Sequence, residues 1–222
     1  MRVMTEKMLE MIRQSYPLTE KQADPELLTA KVAGFNFKLK AYDAAGLGNV
    51  SVMTGTMPLG LMKMDSLVIN PFDRDAPLMS YDRIYAMGND TLLAELYDTR
   101  IDKAPFDDLL DMIKEYDDIP TGEFDPGWYD DILLPQSIKK KGKKKQTARI
   151  DELTGRYLES YLNFCKAAPE CDRAAKLAEA SAYTEGLLKN GGPSTDNFIK
   201  TKGIEFTQRM FREVFFGTGD PQ

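Results

Sequence analysis

No histidine occurs in this sequence, and its absence removes several kinds of site at once. A Ser-His-Asp or Cys-His nucleophile cannot be assembled, and no imidazole can ligate a metal. The two cysteines, Cys165 and Cys171, are too few for a four-thiolate zinc or iron–sulfur centre. Proton transfer must run through Asp, Glu, Tyr, Lys, Cys or bound water. The carboxylates that matter first are those interrupting apolar strands. Asp65, with Ser66 beside it, and Asp82 sit inside such runs, and Asp98 ends one. Aspartate is disfavoured in strands. Two readings are open: the side chain faces solvent, or it faces a cavity where burial raises its pKa and makes it a proton donor.

The most concentrated charge lies elsewhere. Lys139, Lys140, Lys141, Lys143, Lys144 and Lys145 crowd into one short run, with Arg149 just after, on a chain of net charge −6. A positive patch on an acidic protein suits an acidic partner, with fast and salt-sensitive association. A solvated loop is the other reading. The acidic balance argues against nucleic acid as the main partner. Gly46 and Gly48 do not begin a dinucleotide fingerprint, because position 51 is Ser and no crossover helix follows; they read as a hairpin turn.

The elements that position these groups follow from periodicity. Met4, Met8, Met11 and Ile12 are spaced for a short amphipathic helix. Phe35, Phe37 and Leu39 alternate with polar residues as in a half-buried strand. Further strands are expected over 50–56, 59–69, 78–87 and 91–97, joined by short turns and so paired antiparallel. The second half is helical. Phe106, Leu109, Leu110 and Ile113 form one stripe, Ile150 to Cys165 a long one, and Ala174 to Lys189 a third. A last helix carries Phe206, Met210 and Val214 and stops at Gly217. An Asp-, Gly- and Pro-rich loop spans 117–127, and the lysine run reads as the loop before the long helix. The expected class is α+β: one domain over 1–222, a three-layer α/β/α sandwich with a central antiparallel sheet.

The first 14 residues carry no apolar core of signal-peptide type. No run of about 18 apolar residues spans a membrane. With no export signal, Cys165 and Cys171 are expected to be reduced thiols. The reading is a cytoplasmic protein.

Four segments in order resemble the ferredoxin-dependent bilin reductases, a family related to red chlorophyll catabolite reductase. They are Asp65-Ser-Leu-Val-Ile-Asn-Pro71, Ala76-Pro-Leu-Met-Ser-Tyr-Asp82, Leu92-Leu-Ala-Glu-Leu-Tyr-Asp98, and the stretch from Gly203 to Gly217. Trp128 and the helix from Ile150 fall in matching order. The resemblance implies a linear tetrapyrrole held between the sheet and the C-terminal helices. It implies no bound metal or flavin, and single electrons supplied by ferredoxin, or by flavodoxin as an alternative carrier. Asp82 matches the family's central proton donor. Ser66 falls where the family has a proton-relay histidine. Asp196 and Asn197 are the nearest match to a family Asp before the last helix, and Asp98 matches the Asp that ends its strand. By this resemblance Asp82 and Asp196 are catalytic, while Ser66, Asp98 and Asn197 touch substrate. The six lysines recruit the acidic electron carrier. Two other functions stand beside reduction: tetrapyrrole binding without turnover, and a fold kept only as an interaction module.

Overall fold

Short turns between alternating apolar segments favour antiparallel neighbours, and the sheet is built that way. The computed structural model describes residues 4–123 and 126–219; Arg2, and Phe124 and Asp125 of the acidic loop, lie outside the described residues. Eight strands are present among these: β1 (Leu18–Glu20), β2 (Thr29–Val32), β3 (Phe35–Ala44), β4 (Gly48–Thr56), β5 (Met62–Pro71), β6 (Leu78–Ala86), β7 (Asn89–Tyr97) and β8 (Ile138–Lys143). From β3 to β8 they lie in chain order, and the outer edge of β3 carries β1 at one end and β2 at the other.

Helices cover both faces. On one side α1 (Met4–Ser15) and α3 (Thr147–Ala167) pack Met8, Ile12, Ile150, Leu153 and Tyr157 against Leu67, Ile69, Tyr81 and Leu92. On the other, α4 (Arg173–Asn190), α5 (Pro193–Lys202) and α6 (Ile204–Arg209) contribute to a second core that holds Met53, Val68, Leu78, Phe198 and Phe211. Adjacent residues such as Leu67 and Val68 therefore enter different cores, and residues 66–71 of β5 are all buried. The expected α/β/α sandwich is thus present. The spacing of Ile150, Leu153, Tyr157, Tyr161 and Cys165 puts one stripe of α3 on the sheet. A fully buried leucine there contributes about 1.5–3 kcal/mol. Beneath the start of α3, Arg83 is buried and pairs with Asp90, while its Nη2 also reaches Asp151 of α3 at 3.2 Å. Thr147 Oγ1 donates to Asp90 at 2.7 Å, closing a polar mooring between sheet and helix.

The C-terminal layer ends unusually. After α6 the backbone widens into a π-helical turn, Met210–Phe215. Its last carbonyls are tied to the sheet: Ser51 Oγ donates to Phe215 O at 2.6 Å and Asn70 Nδ2 to Phe216 O at 2.8 Å. Asn49 Nδ2 also reaches Phe215 O, at 3.3 Å. Gly217 follows at φ +67°, where a Cβ would stand 2.5 Å from Asn49 Cγ, so only glycine fits.

Several expectations need correction. The lysine run is not a loop: residues 138–143 form β8, paired with β7 from Asn89↔Lys143 to Ala94↔Ile138. Its outer edge is covered by the 120–122 segment, with Gly122 N donating to Lys139 O at 2.9 Å and Lys141 N to Pro120 O at 2.8 Å. The stripe beginning at Phe106 yields only a five-residue helix, α2 (Leu110–Lys114). β5 starts at Met62 rather than 59, because Pro58–Gly60 forms a tight turn with Leu59 at φ +58°. The sequence reading did not anticipate β1, β2 or α5. Cys165 and Cys171 are free, and burial pushes the Cys165 thiol up to about 12. Among the described residues no helix is long and apolar enough to cross a membrane.

Candidate active site

Antiparallel register sets side chains in rows on the face turned toward α4, α5 and α6. Met53, Ser66, Asp82, Leu93 and Lys139 form one row across β4 to β8. Ser80 and Glu95 lie opposite one another in the row on one side of it. Met64, Ile84, Thr91 and Lys141 make the row on the other side. Above Asp82 the two layers part around a cavity of about 260 Å³. Its floor includes Met53, Met64, Asp82 and Glu95; its roof is Tyr183 and Leu187 of α4, Phe198 of α5 and Phe211, Phe215 and Phe216.

Aromatic rings set the character of the walls. Tyr97 of β7 packs at a tilt against Tyr183, 4.6 Å between centroids, and meets Tyr129 edge-on at 5.7 Å. Trp128 backs Tyr129 and Tyr183, and Gly186 makes room for it: a Cβ there would lie 2.6 Å from the indole ring. The π-helical turn places Phe211 and Phe215 on the cavity and Phe216 beside them. Such a slot suits a flat conjugated ligand, which stacks on rings without needing matched hydrogen bonds.

Two carboxyls lie in this apolar setting. Burial raises the Asp82 carboxyl above its ordinary value, and the hydroxyl of Ser66, which donates to Asp82 Oδ1, draws it partly back. The surface Asp82 keeps belongs to the cavity wall. Glu95 is pushed up to about 7, first by burial and then by the nearby charge of Asp82; Tyr97 and Lys139 pull it the other way. Tyr97 Oη donates to Glu95 Oε2 at 2.9 Å. Both acids are poised to hold a proton and release it into an enclosed space.

The structure brings some of the sequence-predicted residues together and separates others. Asp82 and Ser66 are adjacent, as their hydrogen bond shows. Asp98 is elsewhere: burial alone would raise it, but Arg100 grips it at 2.7 and 2.9 Å and holds it below its ordinary value. Asp196 is exposed in the first turn of α5, where its Oδ1 reaches back to Gly192 N at 3.4 Å, and Asn197 is exposed next to it. Neither lines the cavity; Ser194, Thr195 and Phe198 of the same helix do. Asp65 alternates to the opposite face from Ser66 and pairs in register with Arg83.

The lysines divide by strand alternation. Lys139 lines the cavity. Lys140 is buried on the α3 side, where its Nζ donates to Ile119 O at 3.3 Å and Thr121 Oγ1 at 3.1 Å. It is no docking residue. Lys141, Lys143, Lys144 and Lys145 are exposed. The sequence reading missed Glu95, Tyr97, Tyr183 and the cavity role of Lys139. The signal for the first two was present, since Glu95 and Tyr97 share the face of Asp82 by the two-residue period.

A second hollow of about 320 Å³ lies between the 100–108 segment and the end of α3. Its two buried polar residues are committed within the protein: Asp75 accepts from the amides of Ile101 and Asp102, and Arg100 holds Asp98 and Ala104 O. The aromatic cavity is the better candidate.

No protein-family model and no curated protein matches the sequence. Solved structures do match. The crystal structure of phytochromobilin synthase from tomato in complex with biliverdin superposes with a TM-score of 0.78 at 11% identity, covering 98% of this chain and 84% of that one. The antiparallel sheet between two helical layers is therefore the fold of that phytochromobilin synthase.

Proposed function

We propose that this protein reduces a linear tetrapyrrole, taking single electrons from an external iron–sulfur carrier of the ferredoxin class and protonating the bound pigment with its own side chains. The observation that carries the reading is Asp82: a carboxyl of raised pKa, held by Ser66, in the floor of an aromatic-walled cavity. Two further facts support it. The fold is shared with a tomato enzyme whose structure holds biliverdin, and four segments of the sequence resemble the bilin reductase family.

The chemistry follows from the groups present. Neutral Asp82 donates its proton to the pigment lying over β6. A protonated conjugated system accepts an electron more readily, so protonation prepares reduction. Ser66 then stabilises the carboxylate left behind, as a hydrogen bond to the charged form does. The rings of Tyr97, Tyr183 and Phe211 exclude water and keep the pigment flat. No resident metal or flavin enters this proposal. Lys141, Lys143, Lys144 and Lys145 lie at the end of the sheet where Leu59, Leu61 and Met87 project from neighbouring hairpin tips. An apolar centre beside lysines suits an acidic carrier docked within reach of the cavity.

One observation favours a second reading, pigment binding without turnover: the residue beside Asp82 is Ser66, and no histidine is present to relay protons. Two additions separate the cases. Biliverdin added to the protein gives a shifted, strengthened visible band under either reading, and no change removes both. Chemically reduced ferredoxin then bleaches that band into a new product under the first reading and leaves it unchanged under the second.

A further inference from the structure

Reducing one double bond of a conjugated pigment consumes two electrons and two protons. Asp82 holds one proton at a time. Among the described residues lining the cavity the only other carboxyl is Glu95. We infer that Glu95 is a catalytic residue of this site, the donor of the second proton, acting from β7 beside Asp82 on β6.

The inference deepens the proposed function and rests on it. The geometry is set by register. Ser80 pairs with Glu95 and Asp82 with Leu93, so Asp82 and Glu95 are diagonal neighbours on one face. Diagonal pairs lie about 7–8 Å apart between backbones. That spacing lets two carboxyls address two positions of one extended ligand without bonding each other. Glu95 is oriented rather than loose: Tyr97 Oη donates to its Oε2 at 2.9 Å, leaving Oε1 for a proton. The charged and titratable groups around it are Asp82 on β6, Tyr97 on β7, Lys139 on β8, Tyr183 on α4 and, from the opposite layer, Tyr157 on α3. Burial, with the charge of Asp82, raises Glu95 to about 7, so it is protonated about half the time near neutral pH.

The steps balance as follows. A first reduced carrier gives one electron and is oxidised by one; the Asp82 O–H bond breaks as the pigment gains its first proton. A second carrier gives the second electron; the Glu95 O–H bond breaks as the pigment gains the second proton. Both carboxylates then take protons from water at the cavity mouth. Loss of Asp82's proton leaves a negative charge beside Glu95 that holds the second proton in place until the pigment draws it.

The test compares wild type, Glu95→Gln and Glu95→Asp, each loaded with biliverdin and given reduced ferredoxin without oxygen. Glutamine still accepts from Tyr97, so the variant binds pigment with the wild-type visible band. Its two-electron product falls by about 100-fold or more, and a one-electron pigment radical accumulates, read by electron paramagnetic resonance. Aspartate restores part of the rate. In wild type the rate falls as pH rises through about 7, because the neutral acid is lost; the residual rate of Glu95→Gln lacks that fall. A residue with a merely structural part would alter the band and leave the pH limb intact. A wild type that reduces pigment alongside a Glu95→Gln that matches it within two-fold, with the same pH limb, overturns this inference alone. A wild type that reduces none removes the proposed function, and this assignment with it.

Discussion

Replacing Lys140 by methionine separates structural lysine from surface lysine within one short run. The stem of Lys140 is buried against the α3 side, and its ammonium bonds Ile119 O at 3.3 Å and Thr121 Oγ1 at 3.1 Å. Asp117, 3.9 Å away, is largely exposed and adds little. Methionine refills the stem but leaves the buried Ile119 carbonyl facing a thioether, while the exposed Thr121 hydroxyl turns to water. An orphaned buried acceptor costs about 1–3 kcal/mol, and relief from burying a charge returns part of that. A net loss of about 1 kcal/mol follows, which for a chain of this size lowers Tm by about 2–4 °C. In urea the midpoint should fall by about 0.5 M with an unchanged slope. The control is the four-fold variant Lys141→Gln, Lys143→Gln, Lys144→Gln and Lys145→Gln, whose midpoint should match wild type. An unshifted midpoint for Lys140→Met, or an equal fall in the control, would refute the division of the run by strand alternation.

Four other outcomes follow. Asp82→Asn should bind biliverdin, stay at least as stable as wild type because a buried carboxylate is removed, and lose turnover; reduction at the wild-type rate would place the proton donor elsewhere. Ser66→Ala removes the hydroxyl that favours the Asp82 carboxylate, so carboxyl-carbon NMR should show Asp82 titrating at higher pH than in wild type. Glu95 has its folded pKa raised from 4.5 to about 7. Its stabilising contribution is present below pH 4.5 and is lost as pH rises through about 7, an effect of up to about 3 kcal/mol. Urea midpoints of Glu95→Gln should lack that decline, and equal slopes against pH would contradict it. The four-fold lysine variant should slow reduction when ferredoxin is limiting. Its rate should also change far less than wild type between about 50 and 500 mM salt, as the Debye length contracts from roughly 14 to 4 Å; identical salt profiles would detach these lysines from carrier docking.

The sheet was legible because its turns are short and its strands alternate, and Asp82 was legible because a carboxylate inside an apolar strand breaks the rule. Glu95 breaks the same rule, yet the sequence reading did not single it out. Helices cover both faces of β7, so a polar residue there faces a buried layer rather than open water. Composition misled at Lys139–Lys145, where six ammoniums looked like a loop. Strand pairing with β7 divides them instead: Lys140 turns inward to carbonyl and hydroxyl partners while Lys141 and Lys143 stay in water. Asp196 was placed by the resemblance alone, and Asp98 by its position at a strand end together with that resemblance. Both carboxylates are instead taken up by near neighbours in sequence, Asp98 by Arg100 two residues on and Asp196 by the amide of Gly192 four residues back. The roof of the cavity was the least legible part, because Tyr183 and Phe215 face it through packing between helices far apart in sequence.

The tie between the π-helical turn and the sheet has a consequence in time. Asn49 and Ser51 are separated from Phe215 by 166 and 164 residues, and Asn70 from Phe216 by 146. A ribosome adds about 5–20 residues each second, so these three sheet residues emerge roughly 10–30 s before the carbonyls they hold. During that interval the amides of Asn49 and Asn70 and the hydroxyl of Ser51 must be satisfied by water, and the apolar face of β4 and β5 waits uncovered. A growing chain therefore cannot close the cavity until its last helical turn arrives. That same uncovered face is the surface a chaperone would meet.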